Sequence, residues 1–288
     1  MHFDSLASFK RSASAVPQKG PVAIVLVEDD VEIATTLRHH QQLGFVQQIV
    51  FMPRAFDLPS DLEASWLIRI DYDVCVVGAA EAAVNAVIAA VPDGTWLYYC
   101  YNAEFLFFPF CETRTVGEML AFHEQEHRDA MLTCVVDLYD DVLQCPNAVS
   151  LDRAHLDRTG YYALGRKDAD GHVHEKQLDF FGGLRWRFEE YVPADRRRID
   201  RIGLFRARRR LTLLDGHMFN NAEYNTYSCK WHHNITATIC SFRTAKALRL
   251  NPRSSQEIKT FKWHNSTRFE WHSQQLLDLG LMESGQWF

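Results

Sequence analysis

The chain predicts an α/β protein built on a Rossmann-type mixed sheet flanked by helices. Two observations carry that expectation. Val22-Ala-Ile-Val-Leu-Val27 is a continuous apolar run, as a strand covered on both faces requires, and Gln47 to Met52 reads as a second strand. Between and after such runs lie stretches of helical periodicity bounded by Gly and Pro, so strands and helices alternate as in βαβ crossovers. A chain of 288 residues that is 47% hydrophobic can bury the core this fold needs.

Residues 1–20 are Ser- and Ala-rich, broken by Lys10, Arg11 and Lys19, and read as an N-terminal extension without the apolar core of a signal peptide. Val22 to Val27 is the first strand. Glu28-Asp29-Asp30 follows, then a helix over Val31 to Leu43 stopped at Gly44. Gln47 to Met52 predicts a strand, Pro53 to Leu62 a loop, and Asp73 to Val77 another strand. Ala79 to Ala90 predicts a helix ended by Pro92-Asp93-Gly94. Trp96 to Phe108 reads as one long buried strand interrupted by Asn102 and Glu104, and a carboxylate buried there demands a partner or a function.

Further on, Val116 to His127 predicts a helix and Met131 to Leu138 a strand. Residues 139–180 read as polar and loop-rich, and Thr236 to Leu250 and Phe269 to Leu279 as helices. Ligands of parallel sheets sit beyond the carboxyl ends of the strands. Glu28 to Asp30 and the Asn102/Glu104 pair are thereby expected at one crevice. No repeat or linker forces a division, so 21–288 is expected to be a single domain, with a first half at 21–110 and a second at 111–288.

The seven cysteines show no C-x-x-C pair, which suits reduced thiols and a cytoplasmic location. Val74 to Val91 contains Glu81 and Asn85 and reads as a strand and core helix rather than a transmembrane segment, with peripheral membrane contact left open. A net charge of −6 gives no general pull toward nucleic acid, and no nucleic-acid partner is expected. Arg185 to Arg210 is the local exception, with ten arginines whose planar forks suit phosphate. Glu189, Glu190, Asp195 and Asp200 are mixed among them, so an ordinary ion-paired surface fits the composition as well.

His123-Glu-Gln-Glu-His127 matches the H-E-x-x-H zinc signature, with Glu124 as the base. The charged neighbours Glu126, Arg128 and Asp129 point instead to a solvated helix face. Trp231-His232-His233-Asn234, Trp263-His264-Asn265-Ser266 and Trp271-His272 set indoles beside hydrogen-bonding side chains, as sugar sites do; core anchoring with a polar edge is the plainer reading. The chain has no P-loop, no G-x-G-x-x-G and no G-x-S-x-G elbow, which leaves hydrolase and dehydrogenase readings without support.

Several segments together resemble the family-2-type glycosyltransferases, in the bacterial branch that opens roughly N-E-x-x-x-L-x-E-W-x-x-H-H/Y-x-x-L-G. Aligned on His40 and Leu43-Gly44, that pattern sets its Asn at Glu28 and its Glu at Asp29, and Leu37 falls into register. Glu104-Phe105-Leu106 matches the end of the branch's D-x-D-E-F-L strand. Phe181-Gly-Gly-Leu-Arg-Trp-Arg-Phe188 is similar to its G-G-V-R-x-R-x-F element, and Arg201-Ile-Gly-Leu-Phe-Arg206 to its K-x-P-L-x-R. These landmarks keep their order over residues 22 to 240.

The resemblance implies a GT-A-like fold and transfer of a sugar from a nucleotide-sugar donor to a glycan or other acceptor. Nucleotide binding falls in the first half and acceptor binding in the second. Carried over, Glu28, Asp29, Asp57, Asn102, Glu104 and Arg185 are donor-side residues. Trp231, His232 and His233 are acceptor-side candidates, and Asp179, Glu189 and Glu190 candidate bases for the acceptor hydroxyl. The departures concern the metal. Tyr101 and Ala103 stand where the family's metal-holding aspartates belong, and the D-N-x-S-x-D element survives only as Asp57. Mn²⁺ or Mg²⁺ then keeps only Glu104 as an anchor, so transfer is expected to be metal-independent, with the arginine segment neutralising the leaving diphosphate. The same departures suit the alternative, a catalytically inactive relative that binds nucleotide, glycan or a partner protein.

Overall fold

The computed structural model describes residues 1–12, 20–62, 65–141, 147–227 and 234–287. The chain opens with β1 (His2–Phe3), α1 (Leu6–Arg11), β2 (Val22–Leu26), α2 (Ile33–Gln42) and β3 (Gln47–Met52). Then come β4 (Leu67–Asp71), α3 (Ala79–Ala90), β5 (Trp96–Tyr101), β6 (Glu104–Phe107), α4 (Val116–Gln125) and β7 (Ala130–Asp137). Next are β8 (His155–Asp157), β9 (Tyr162–Lys167), β10 (Val173–Phe181), α5 (Gly183–Arg187), β11 (Asp200–Arg206), β12 (Leu213–Leu214) and β13 (Met218–Phe219). The chain closes with β14 (Ala237–Ser241), α6 (Arg243–Leu250), α7 (Pro252–Glu257), β15 (Ser266–Arg268) and α8 (Ser273–Asp278). The fold is mixed α/β, as expected. It forms two compact units, each assembled from three separate stretches of chain: Met1–Ala103, Thr113–Met131 and Ile202–Asn225 in the first, Glu104–Glu112, Leu132–Arg201 and Thr226–Phe288 in the second.

In the first unit the strands run in the order β1-β4-β3-β2-β5-β11. They are parallel from β1 to β5, and β11 lies antiparallel to β5. Every residue of β2, β3 and β5 is buried, as the apolar runs of β2 and β5 require, and β3 buries Gln47 and Gln48 as well. Along α2 the buried positions are Ile33, Thr36, Leu37 and His40, a single helical stripe. Gly44, at φ +93°, ends that helix in a conformation a side chain would resist. α3 is alanine-rich, and α4 is opened by a capping box between Thr115 and Glu118. Residues 1–11 are no loose extension. β1 pairs with β4, and Phe9 is wholly buried against Phe3 and Phe51.

In the second unit β14 lies parallel to β7 and antiparallel to β6. Two smaller pairs accompany it, the β9–β10 hairpin and β8 with β15. Segment 139–180 therefore holds strands where a loop was expected. Alternation is blurred there by charged residues on exposed faces, including Lys167, His174, Glu175 and Lys176.

Four further expectations are corrected. Trp96 to Phe108 is two strands, because the chain turns at Asn102-Ala103, where Ala103 takes φ +58°. The strand expected at Asp73 to Val77 lies earlier, at β4, and Val77 is 97% exposed in the turn that follows. Thr236 to Leu250 begins as the fully buried strand β14 and becomes helical only at Arg243. A short apolar run suits either structure, and pairing with two strands decides it. Phe269 to Leu279 is helical only over α8, which His272 caps.

The polar centre of the second unit is Glu104. Its carboxylate is fully buried and accepts two hydrogen bonds from Arg201, at 2.7 and 3.2 Å, and one from the Ser241 hydroxyl at 3.0 Å. Removing one partner of a buried pair strands the other charge, at a cost of about 3–5 kcal/mol. Arg201→Met should lose roughly that much in urea unfolding, while the double variant Arg201→Met/Glu104→Leu should recover most of it. Equal instability of both variants would show that packing rather than charge is at stake.

Candidate functional site

Strand order places the topological switch of the first unit between β2 and β5, since the chain moves outward from β2 to β3 and β4 and then returns to β2's other side. Ligands of open α/β sheets bind beyond the carboxyl ends at such a point. The turn after β2 is fixed there by Asn102, the first residue after β5. Its Oδ1 accepts the Glu28 backbone N–H at 2.9 Å. Its Nδ2 donates to Asp29 Oδ1 at 2.6 Å, to the Val31 carbonyl at 2.9 Å and to the Asp29 carbonyl at 3.2 Å. Asn102 is fully buried, so it acts as a clamp on residues 28–31 rather than as a ligand group. Thr36 completes the arrangement by accepting the Ala103 N–H at 2.9 Å.

Beside this turn lies a groove of about 430 Å³, between the loops that follow β2 and β3. Asp30, Glu32, Thr35, Phe56, Asp57 and Pro59 are among its walls. Among the described residues its lining holds three carboxylates and no cationic side chain. Such a surface repels phosphate and welcomes hydroxyl and N–H donors, as an acidic residue does when it accepts a ribose hydroxyl. Asp57 thus shares a groove with Asp30, and Glu28 and Asp29 are not among the residues that line it.

Glu104 is placed differently. It belongs to the second unit, sealed from solvent, with both oxygens engaged by Arg201. A carboxylate so held does not suit a divalent cation, and Tyr101 and Ala103 supply no replacement oxygen set, so these positions do not fit the Mn²⁺ or Mg²⁺ of the resembling family. Arg185 is likewise internal. Its Nη1 donates to the Arg198 carbonyl at 2.6 Å and its Nε to Thr244 at 3.1 Å, and it stands 3.7 Å from Asp137.

Most of the arginine segment meets carboxylates. Arg187 pairs with Asp157, Arg197 with Glu189, Arg198 with Asp179 and Asp200, and Arg206 and Arg208 with Asp129. These pairs take up most of the guanidinium groups expected to neutralise a diphosphate, while Arg196, Arg209 and Arg210 remain exposed. Asp179, a candidate base, sits between Arg166 at 2.7 Å and Arg198 at 3.4 Å, so its carboxylate is already engaged by two guanidinium groups. Glu189 and Glu190 are exposed on the turn after α5. Trp231, His232 and His233 lie outside the described residues.

The zinc reading is overturned by the helix end. α4 stops at Gln125, and His127 is exposed with φ +56°, so the two imidazoles do not share a helix face. His123 is buried against the Ala130 carbonyl at 2.9 Å, and burial brings its pKa down to about 4.

Asp137, which closes β7, escaped sequence reasoning. It is wholly buried, it is approached by Gly183 at φ +63°, and its Oδ1 has no hydrogen-bond partner. The available signal was an acid ending the apolar run from Met131. Burial raises its pKa above the ordinary 3.8, against the opposing pull of Arg185. The fold therefore holds this proton more tightly than the unfolded chain does, and stability falls as pH rises from 3.8 through the raised value. Asp137→Asn should show a shallower loss of stability with rising pH in urea unfolding; an unchanged slope would show that Asp137 is ionised in the fold.

No protein-family model matches the chain, and no curated protein matches it. Among the described residues, no helix is long and apolar enough to cross a membrane.

Shortening Asn102 to Ala unties four hydrogen bonds at once and should cost about 1–3 kcal/mol, because the half-buried Glu28 N–H and Val31 carbonyl lose their partner. Urea unfolding and amide exchange at residues 28–31 test this, and unchanged exchange would refute the clamp.

Proposed function

We propose that this chain is a glycosyltransferase that seats the nucleoside part of a nucleotide-sugar donor in the acidic groove of the first unit and works without a divalent cation held by Glu104. The observation that carries the reading is the groove beyond β2 and β3, at the edge of the sheet's switch point, where Asp30, Glu32 and Asp57 offer acceptors to ribose and base. The ordered resemblance of residues 22 to 240 supplies the reaction class. The acidic lining argues that affinity comes from the nucleoside rather than from the phosphates. Of the candidate bases, Glu189 and Glu190 remain at the surface, whereas Asp179 is occupied by two guanidinium groups.

A second reading is favoured by those same ion pairs: a glycosyltransferase-like protein that binds nucleotide without turnover. Thermal-shift measurements with uridine, guanosine and adenosine, and their diphosphates and diphospho-sugars, distinguish the two when combined with donor hydrolysis. The transferase reading expects stabilisation by one nucleoside series, weakening about tenfold in Asp57→Asn, and slow release of sugar that survives chelation of metal. Stabilisation without release supports the binder. No response to any nucleoside or nucleotide would remove both.

A further inference from the structure

The second unit carries an aromatic surface that the donor reading does not use. Trp186, on α5, is 40% exposed. Its ring meets that of Trp263 edge to face, with centroids 6.4 Å apart and planes at 62°. Trp263 is fixed in place: its Nε1 donates to Asp157 at 2.8 Å, and the Arg187 guanidinium lies 4.7 Å from the ring centroid. Arg187 is in turn tied to Asp157 at 3.0 Å and to the Phe261 carbonyl at 2.6 Å. Neither indole support is a flexible contact.

Gly160 packs closely against these rings. A Cβ there would stand 3.0 Å from Trp186 and 3.9 Å from Trp263, and the residue's φ of +93° is one that side chains rarely adopt. Polar groups surround the pair. Arg158 is exposed, and its backbone N–H and guanidinium bind the carbonyls of Asn265 and His264 at 2.9 and 3.3 Å. The His264 ring, also exposed, is 4.7 Å from that of Trp263.

The size of this surface selects its occupant. A tryptophan side chain buries up to about 250 Å², so one that is 40% exposed offers on the order of 100 Å². A stable protein interface needs roughly 800 Å² from each partner. One sugar ring matches the smaller area, with its C–H face on the indole and its hydroxyls toward the surrounding donors. We propose that Trp186 and Trp263 form a carbohydrate-binding platform on the second unit. It takes a neutral pyranose of an oligosaccharide, with Arg158, His264 and Asn265 as hydroxyl partners. The inference goes beyond the donor groove and stands without it.

The test is titration of the full chain with soluble β-linked oligosaccharides of glucose, N-acetylglucosamine and xylose, and α-linked ones of glucose and mannose, followed by tryptophan fluorescence and calorimetry. Saturable binding to at least one of them is expected. Trp186→Ala should weaken it about tenfold or more, and Trp186→Phe should retain part of it. The nucleotide response of the same proteins is expected to be unchanged by either substitution, so failure of the donor reading shows separately. Absence of saturable binding to every sugar would overturn the proposal. So would affinity indifferent to Trp186, or a Trp186-dependent interaction found only with nucleotides or with phosphatidylglycerol vesicles.

Discussion

A carboxylate and a guanidinium sealed from water, Glu104 and Arg201, impose the constraint around which the second unit is arranged. Neither can be buried alone, so β6, β14 and the end of the stretch Leu132–Arg201 must meet where the pair forms. Ser241 adds its hydroxyl to Glu104, and Thr133 of β7 donates to the Arg201 carbonyl at 2.8 Å. The pair also decides chemistry. A carboxylate that stabilises Arg201 inside the fold does not hold a metal ion, so the residue that most strengthens the family resemblance serves architecture.

The same economy runs through the arginine-rich segment. Its guanidinium groups meet Asp137, Asp157, Asp179, Asp200 and Asp129, each within a unit, and several of these carboxylates are almost fully buried. Asp157 shows the principle most clearly. Tyr139, Arg187 and Trp263 all donate to it, and that saturation holds the Trp263 indole rigid beside Trp186. In the first unit a neutral side chain has the corresponding role. Asn102 binds both donors and acceptors of the turn after β2, its amide offering an acceptor oxygen beside two N–H donors, and so shapes the approach to the acidic groove.

Much of the first unit was legible in the residues. β2, β3, α2 and α3 follow from apolar runs, one helical stripe, Gly44 and Pro92, because local propensity and burial agree there. The reading failed where they do not. Trp96 to Phe108 is apolar apart from Asn102 and Glu104, and that polar interruption was read as a buried site within one strand rather than as the turn that Ala103 makes. Ala237 to Ser241 could be helix or strand until its two neighbours are known. His123 and His127 have helical spacing, but the helix ends between them. Asp179 and Arg185 have the right chemistry for a site, yet their partners, Arg166 at one and Asp137 at the other, are distant in sequence.

Sequence by itself determined that this is an α/β chain with an acidic turn after its first long strand, an acidic residue after the second, and a buried glutamate that had to find a counter-charge. Those conclusions rest on composition and periodicity, which act over a few residues. Tertiary structure alone decided which charge Glu104 finds, that Asn102 is a clamp, that most of the arginines meet carboxylates, and that Trp186 stands beside Trp263. Most of these depend on groups far apart in the chain, and pairing energies between such groups are fixed by distance and burial rather than by order along the backbone.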